Sequence, residues 1–250
     1  MKLLLRGAAH RGRRLAGWLV LLVLGAGLPS AAQDLALADS LARQAYAAAL
    51  GTESVLYDGA EYVDYTAPGT RGHQFFGGPE AQMGSVRYRG GTFHNVLLRY
   101  DLVRDQPILL YPGQAVAIML IPAKVAGFTL GGHHFVRVVG DSTAAGSLPA
   151  GFYELLVDGP VQLLARHSKR VHQAIVSQAL TQEYRQTDAL FVRTATTTAE
   201  VASLNKLLAL LPGHQPEVQR YARQQRLSFA PPNRAASAER LLRYYYTLQP

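Results

Sequence analysis

Residues 84–102 read Gly-Ser-Val-Arg-Tyr-Arg-Gly-Gly-Thr-Phe-His-Asn-Val-Leu-Leu-Arg-Tyr-Asp-Leu, and their spacing decides the fold. Val86 and Tyr88 alternate with Ser85, Arg87 and Arg89 until Gly90-Gly91 breaks the run. Val96, Leu98, Tyr100 and Leu102 then fall on one side of an extended chain, with Asn95, Arg99 and Asp101 among the residues opposite. Successive side chains of a strand point to opposite faces, so a period of two predicts half-buried strands. The rhythm continues at residues 108–111, 116–121, 125–130, 135–139 and 152–158. It predicts an α+β chain built mainly on an antiparallel β-sheet, closed as a barrel, stacked as a sandwich or curled as a roll.

Upstream, residues 34–50 place Leu37, Leu41 and Ala45 on one helical face, with Gly51 where a helix commonly ends. An N-terminal helix over 34–51 is expected to cover an edge or face of the sheet. Residues 55–57 and 62–65 flank Asp58-Gly59, which tolerates the positive φ angles of tight turns, and predict a first hairpin. Residues 67–78 hold four glycines and one proline around Arg71, His73, Gln74 and Phe75-Phe76. Two readings stand for this loop: a binding loop presenting Arg71 and His73, or a wide connection whose phenylalanines plug the core.

Downstream, Gly131-Gly132 turns a hairpin, residues 140–151 form a small-residue surface loop, and Asp158-Gly159 turns another hairpin. Pro160 at the start of the return strand removes a donor and suggests an edge. Residues 168–182 fit strand or helix, and 189–193 read as the last strand. Thr197-Thr198-Ala199-Glu200 has the spacing of a capping box before Val201, Leu204, Leu208 and Leu211. Pro216 suits the first turn of a second helix, and Asn233 can cap a third carrying Leu241, Leu242, Tyr245 and Leu248. Helices this short must pack on one another and on the sheet. The expected organisation is a leader at 1–32, a helix at 34–51, a β domain at 52–195 and a helical segment at 196–250.

The leader reading rests on Arg6, Arg11, Arg13 and Arg14, then a 14-residue apolar run at 15–28, then Ser30-Ala31-Ala32. That is the three-part pattern of a signal peptide cleaved after Ala32, and the run is short of the roughly 20 apolar residues a bilayer span needs. No transmembrane span is expected after its removal. There are no cysteines among the 250 residues, so neither a lipid-bearing cysteine nor a disulfide is available. Charge is uneven: residues 33–160 carry 8 basic and 12 acidic groups, residues 161–250 carry 12 and 5. A basic C-terminal segment suits an anionic surface or an envelope protein, and the leader argues against nucleic acid.

Leu56-Tyr57-Asp58-Gly59, Tyr100-Asp101-Leu102, Lys124-Val125-Ala126-Gly127-Phe128, Gly151-Phe152-Tyr153-Glu154 and Tyr244-Tyr245-Tyr246 carry a resemblance. Through them the chain resembles uncharacterised exported β-sheet proteins of the Bacteroidota type, a family with no assigned activity. The resemblance implies an envelope location and a sheet-plus-helix build, with no catalytic residues to carry over.

Motifs of known chemistry are sparse. His133 and His134 are adjacent in a predicted strand and so face opposite ways, and His167 and His172 stand five apart, off the spacing for ligands on one helix turn. Only tertiary contact can gather His73, His94 and one of that pair. Ser203-Leu204-Asn205-Lys206 matches Ser-x-x-Lys but lacks a downstream Lys-Thr-Gly. Asp101, Asp105, Glu154 and Asp158 supply carboxylates for a glycosidase pair, yet Arg99 and Arg104 make ion pairing or turn capping the simpler role.

The expectation is therefore a non-enzymatic binding or structural protein of the periplasm or the periplasmic face of the outer membrane, without cofactor or metal. Its contact residues would be Arg71 and His73 in the loop, and Arg220, Arg223, Arg240 and Arg243 in the helices. The competing reading is an envelope hydrolase assembled from distant residues, which a deep pocket gathering two carboxylates or three histidines would favour. A small outer-membrane barrel is a third, though its strands run to about 9–11 residues and most of these are shorter.

Overall fold

Gly90 and Arg89 both take positive φ, and between them they turn β1 (Gln82–Tyr88) into β2 (Gly91–Asp101). That two-residue turn matches the right-handed twist of paired strands. β3 (Gln106–Leu110), β4 (Ala117–Met119), β5 (Val125–Leu130), β6 (His133–Val138) and β7 (Gly151–Val157) follow. β8 (Gln162–Val176), β9 (Ala179–Arg193) and β10 (Thr198–Glu200) complete the sheet. The computed structural model describes residues 52–111, 116–140, 148–176 and 179–249. The expected leader and the expected helix at 34–51 lie outside the described residues.

All pairings are antiparallel, in the order β10-β9-β8-β7-β6-β5-β1-β2-β3-β4. The sheet is open rather than a closed barrel, because the two end strands do not pair with each other. It nonetheless curls. The Lys169 amide of β8 donates to the Leu102 carbonyl just beyond β2 at 3.2 Å, and the Phe152 amide of β7 reaches Asp105 Oδ1 at 3.4 Å. Inside the curl Tyr88, Phe93, Leu98, Tyr100, Phe128, Leu130, Phe135 and Phe152 form one buried cluster.

Phe93 and Leu98 cannot share a face in a regular strand, since they are five residues apart. Asn95 solves the parity: it sits at φ 55° and drops out of the register, where Gly84 opposes Val96 and Ser85 opposes His94. A β-bulge of this kind adds one residue and reverses the alternation.

Three helices follow among the described residues: α1 (Leu204–Leu210), α2 (Gln215–Gln224) and α3 (Arg234–Thr247). They cover Leu163, Ala165, Leu190 and Val192 of β8 and β9 with Leu207, Leu211, Val218, Leu241, Leu242 and Tyr245, forming a second core. No helix among the described residues is long and apolar enough to cross a membrane.

Three local expectations change and one open choice is decided. Thr52–Tyr57 is a 3-10 helix, so the hairpin around Asp58-Gly59 does not form. Leu56 is drawn into the first core, and Asp58 is held by Arg89 and the Tyr88 hydroxyl. Residues 168–176 and 179–182 are strand rather than helix, and β8 and β9 run 15 residues each. The capping-box spacing belongs instead to β10, and Ser203 is the true cap of α1, its side chain accepting from the Lys206 amide. The last strand is therefore β10 rather than residues 189–193.

Candidate functional site

Residues 58–78 cross the end of the curled sheet as a strap. Near its start, the Tyr62 amide donates to the Ala117 carbonyl and the Ala60 carbonyl accepts from Met119, covering the β4 edge. In its middle, the Arg71 amide donates to the Gln182 carbonyl, and the Arg71 carbonyl accepts from the Tyr184 amide on β9. At its end, Phe76 and Gln74 pair with Tyr100 and Leu102 beside β2. An unpaired edge is an aggregation hazard, and the strap answers it at three places.

Asp101 anchors the strap from below. It is 0% exposed, and its carboxylate accepts from the Tyr62 hydroxyl at 3.1 Å, the Tyr65 hydroxyl at 2.8 Å, and the Val103 and Arg104 amides at 2.9 and 3.0 Å. Arg104 lies over the Tyr65 ring at 3.8 Å. Burial, together with the Asp101 charge, pushes both tyrosine pKa values well above the ordinary range. Lys169 holds the strap from the side, its Nζ donating to the His73 and Phe75 carbonyls at 3.0 and 2.6 Å. Burial lowers its pKa, since neutral carbonyls replace water around the ammonium, though the nearby Asp188 and Asp101 charges counter this in part.

Under Phe76 lies a chain of four titratable side chains on the concave face of β6, β7, β8 and β9. His133 Nδ1 is 2.5 Å from Glu154 Oε1, Glu154 Oε2 is 2.8 Å from His167 Nε2, and His167 Nδ1 is 2.7 Å from Asp188 Oδ1. Strand register makes this possible: Phe135 opposes Glu154, and His167 opposes Asp188. The ring of Phe76 packs on His133, Phe135 and His167 at 4.9–5.1 Å between centroids.

Both nitrogens of His167 face carboxylates, so it carries two N–H groups and is an imidazolium. Burial alone pushes its pKa down, but hydrogen bonds to Asp188 and Glu154 prevail and raise it to about 9. Burial likewise pushes Glu154 up, and the two histidines outweigh it, leaving the carboxyl below its usual range. Asp188 behaves alike through His167 and Gln186. Among the described residues no three such groups converge as ligands for one metal ion, because each points at its neighbour.

The sequence-selected residues separate. Arg71 is exposed and bound to β9 by its backbone. His73 accepts from the Phe75 amide and stacks on that ring, while Phe75 and Phe76 plug the core as the second of the two loop readings expected. His94 lies opposite Ser85, away from the chain of four, so the three-histidine set is not assembled. Arg220, Arg223 and Arg240 are exposed. Arg243 pairs with Glu239 and donates to the Leu156 carbonyl, fastening α3 to β7 beside an open groove of about 530 Å3. Asp101 caps its own turn, and Asp158 accepts from Gly159 and Gln162. His133, Glu154, His167 and Asp188 lie 21, 13 and 21 positions apart in sequence, and only strand register, which spacing does not carry, brings them together.

No protein-family model, no curated protein and no solved structure matches this chain.

Proposed function

We propose that the protein is a non-enzymatic binding or structural component of the cell envelope. It acts in the periplasm or on the periplasmic face of the outer membrane, in keeping with the resemblance to exported Bacteroidota sheet proteins. One observation carries this reading. Glu154 and His167, the buried groups best suited to acid–base chemistry, are engaged through both Glu154 oxygens and both His167 nitrogens, by each other and by His133 and Asp188 at the two ends of the chain. Groups engaged in this way tie β6, β7, β8 and β9 together and have no free proton site to offer a substrate.

The competing reading, an envelope hydrolase, draws on His133. Its ring is 48% exposed and is backed by the Glu154 carboxylate, the arrangement a general base uses. Glu154→Gln separates the two. As a structural strut, Glu154 predicts a lower Tm and unchanged co-sedimentation with envelope fragments wherever the variant remains folded. Turnover of peptidoglycan or ester reporters by the wild type, abolished by Glu154→Gln at unchanged Tm, would establish the hydrolase instead. Replacing Arg220, Arg223 and Arg240 with Gln tests the helical surface: unchanged co-sedimentation removes it from the binding account.

A further inference from the structure

The distal half of the β8–β9 hairpin runs past the strap with its concave face uncovered. Ile175 and Leu180 are direct cross-strand partners there, 78% and 63% exposed, and Val171 on the same face is 40% exposed. Arg170 and Arg185 are also direct partners, on the opposite face, and Arg71 is bridged to Glu183 at the β9 edge. Like charges directly opposite in a sheet repel, and among the described residues Arg185 alone of the three has an acidic partner, Glu183. The hairpin therefore presents an aliphatic tip with a cationic band five residues behind it, about 16 Å at the usual strand rise.

We propose that this hairpin docks the protein on an anionic lipid bilayer. Ile175 and Leu180 enter the headgroup–acyl boundary, and Arg170, Arg185 and Arg71 meet the phosphates. The depth fits: interfacial elements bury about 5–10 Å, which leaves the band within a Debye length of the phosphate plane. Charge selects this occupant over a second copy of the chain, since pairing two hairpins brings four arginines together against only two Glu183 carboxylates, whereas an anionic surface turns the Arg170–Arg185 repulsion into attraction. The proposal rests on the envelope location inferred above and names the partner.

Because the chain has no cysteine, a single Ala179→Cys places an environment-sensitive dye at the tip, and Gln224→Cys places the same dye at the end of α2 as reference. Any membrane affinity of residues 15–28 acts on both labels in the full chain. With phosphatidylglycerol-containing vesicles, the dye at 179 is expected to shift to the blue and brighten severalfold while the dye at 224 does not. Ile175→Ser with Leu180→Ser abolishes the response. Arg170→Gln with Arg185→Gln weakens the apparent affinity about thirty-fold, at the usual contribution of a basic residue near a charged membrane.

No response at 179, an equal response to phosphatidylcholine alone, or a response that follows protein concentration without vesicles overturns the proposal, the last in favour of a second copy. Synthetic vesicles keep this outcome separate from the envelope reading. A silent tip with intact co-sedimentation refutes the docking alone, and a responsive tip with no envelope association refutes the location.

Discussion

His167 shows how a residue with no motif around it becomes a determinant of stability. Its folded pKa of about 9 lies above its ordinary 6.5, so the folded state holds the proton more tightly. That stabilisation is complete below about pH 6.5 and disappears as pH rises through about 9. Glu154 and Asp188 are depressed, so their share is present above the ordinary carboxylate range and is lost as pH falls below it. Stability from this chain is greatest between about pH 5 and 6.5. In thermal melts from pH 5 to 10, wild type is expected to lose Tm on the alkaline side. His167→Gln starts lower and is flatter there; a wild-type decline that persists in the variant would place its cause elsewhere. Asp101 is the second such residue. Asp101→Ala leaves the buried Tyr62 hydroxyl, the half-buried Tyr65 hydroxyl and two turn amides without their acceptor, and about 3–4 kcal/mol should be lost in urea unfolding. The turn-capping part of that role was legible from Asp101 beside Arg99 and Arg104, which left ion pairing or turn capping as its simpler roles. The tyrosines were not, because Tyr62 and Tyr65 lie 39 and 36 positions away.

At the scale of elements, the strap and the long hairpin were the least legible parts. Residues 168–182 alternate only weakly, since polar side chains occupy both faces where the hairpin leaves the sheet, so periodicity had little to measure. Residues 55–65 resemble a hairpin because tyrosine suits a pleated surface, but 55–57 belong to a 3-10 helix and the partners of 60–65 are β4 and Asp101. Gly59 lies so close to the Met119 carbonyl that a Cβ would collide with it, a demand that comes from β4 and not from a turn. Lys169 ties strap to hairpin. Lys169→Met keeps the stem but leaves the His73 and Phe75 carbonyls without their donor. Amide exchange across 66–76 should speed up at least tenfold with little change in α3. Uniform acceleration would mean that the lysine supports the global fold rather than the strap.

At the scale of the whole molecule, the question is whether sheet and helices are one folding unit. Residues 53–250 form one compact unit, and the second core draws on both strands and helices. Leu241 is fully buried there against sheet and helix side chains. Leu241→Ala should therefore cost about 2–5 kcal/mol and lower the sheet and helix transitions together in circular dichroism. A helical signal that melts ahead of the sheet would show a separately folding lid.

Alternation between residues 84 and 158 was enough for β1 to β7 and for an antiparallel sheet, and the helical spacing beyond residue 200 was enough for the apolar stripes of the C-terminal helices. These are local properties: which face a side chain takes depends on residues two to four positions away. Tertiary structure alone decided that the sheet stays open, that Asn95 reverses the parity of β2, that the strap pairs with the sheet at three places, and that His133, Glu154, His167 and Asp188 meet. Each depends on register and curvature between segments tens of residues apart, and a chain read along its length carries no measure of either.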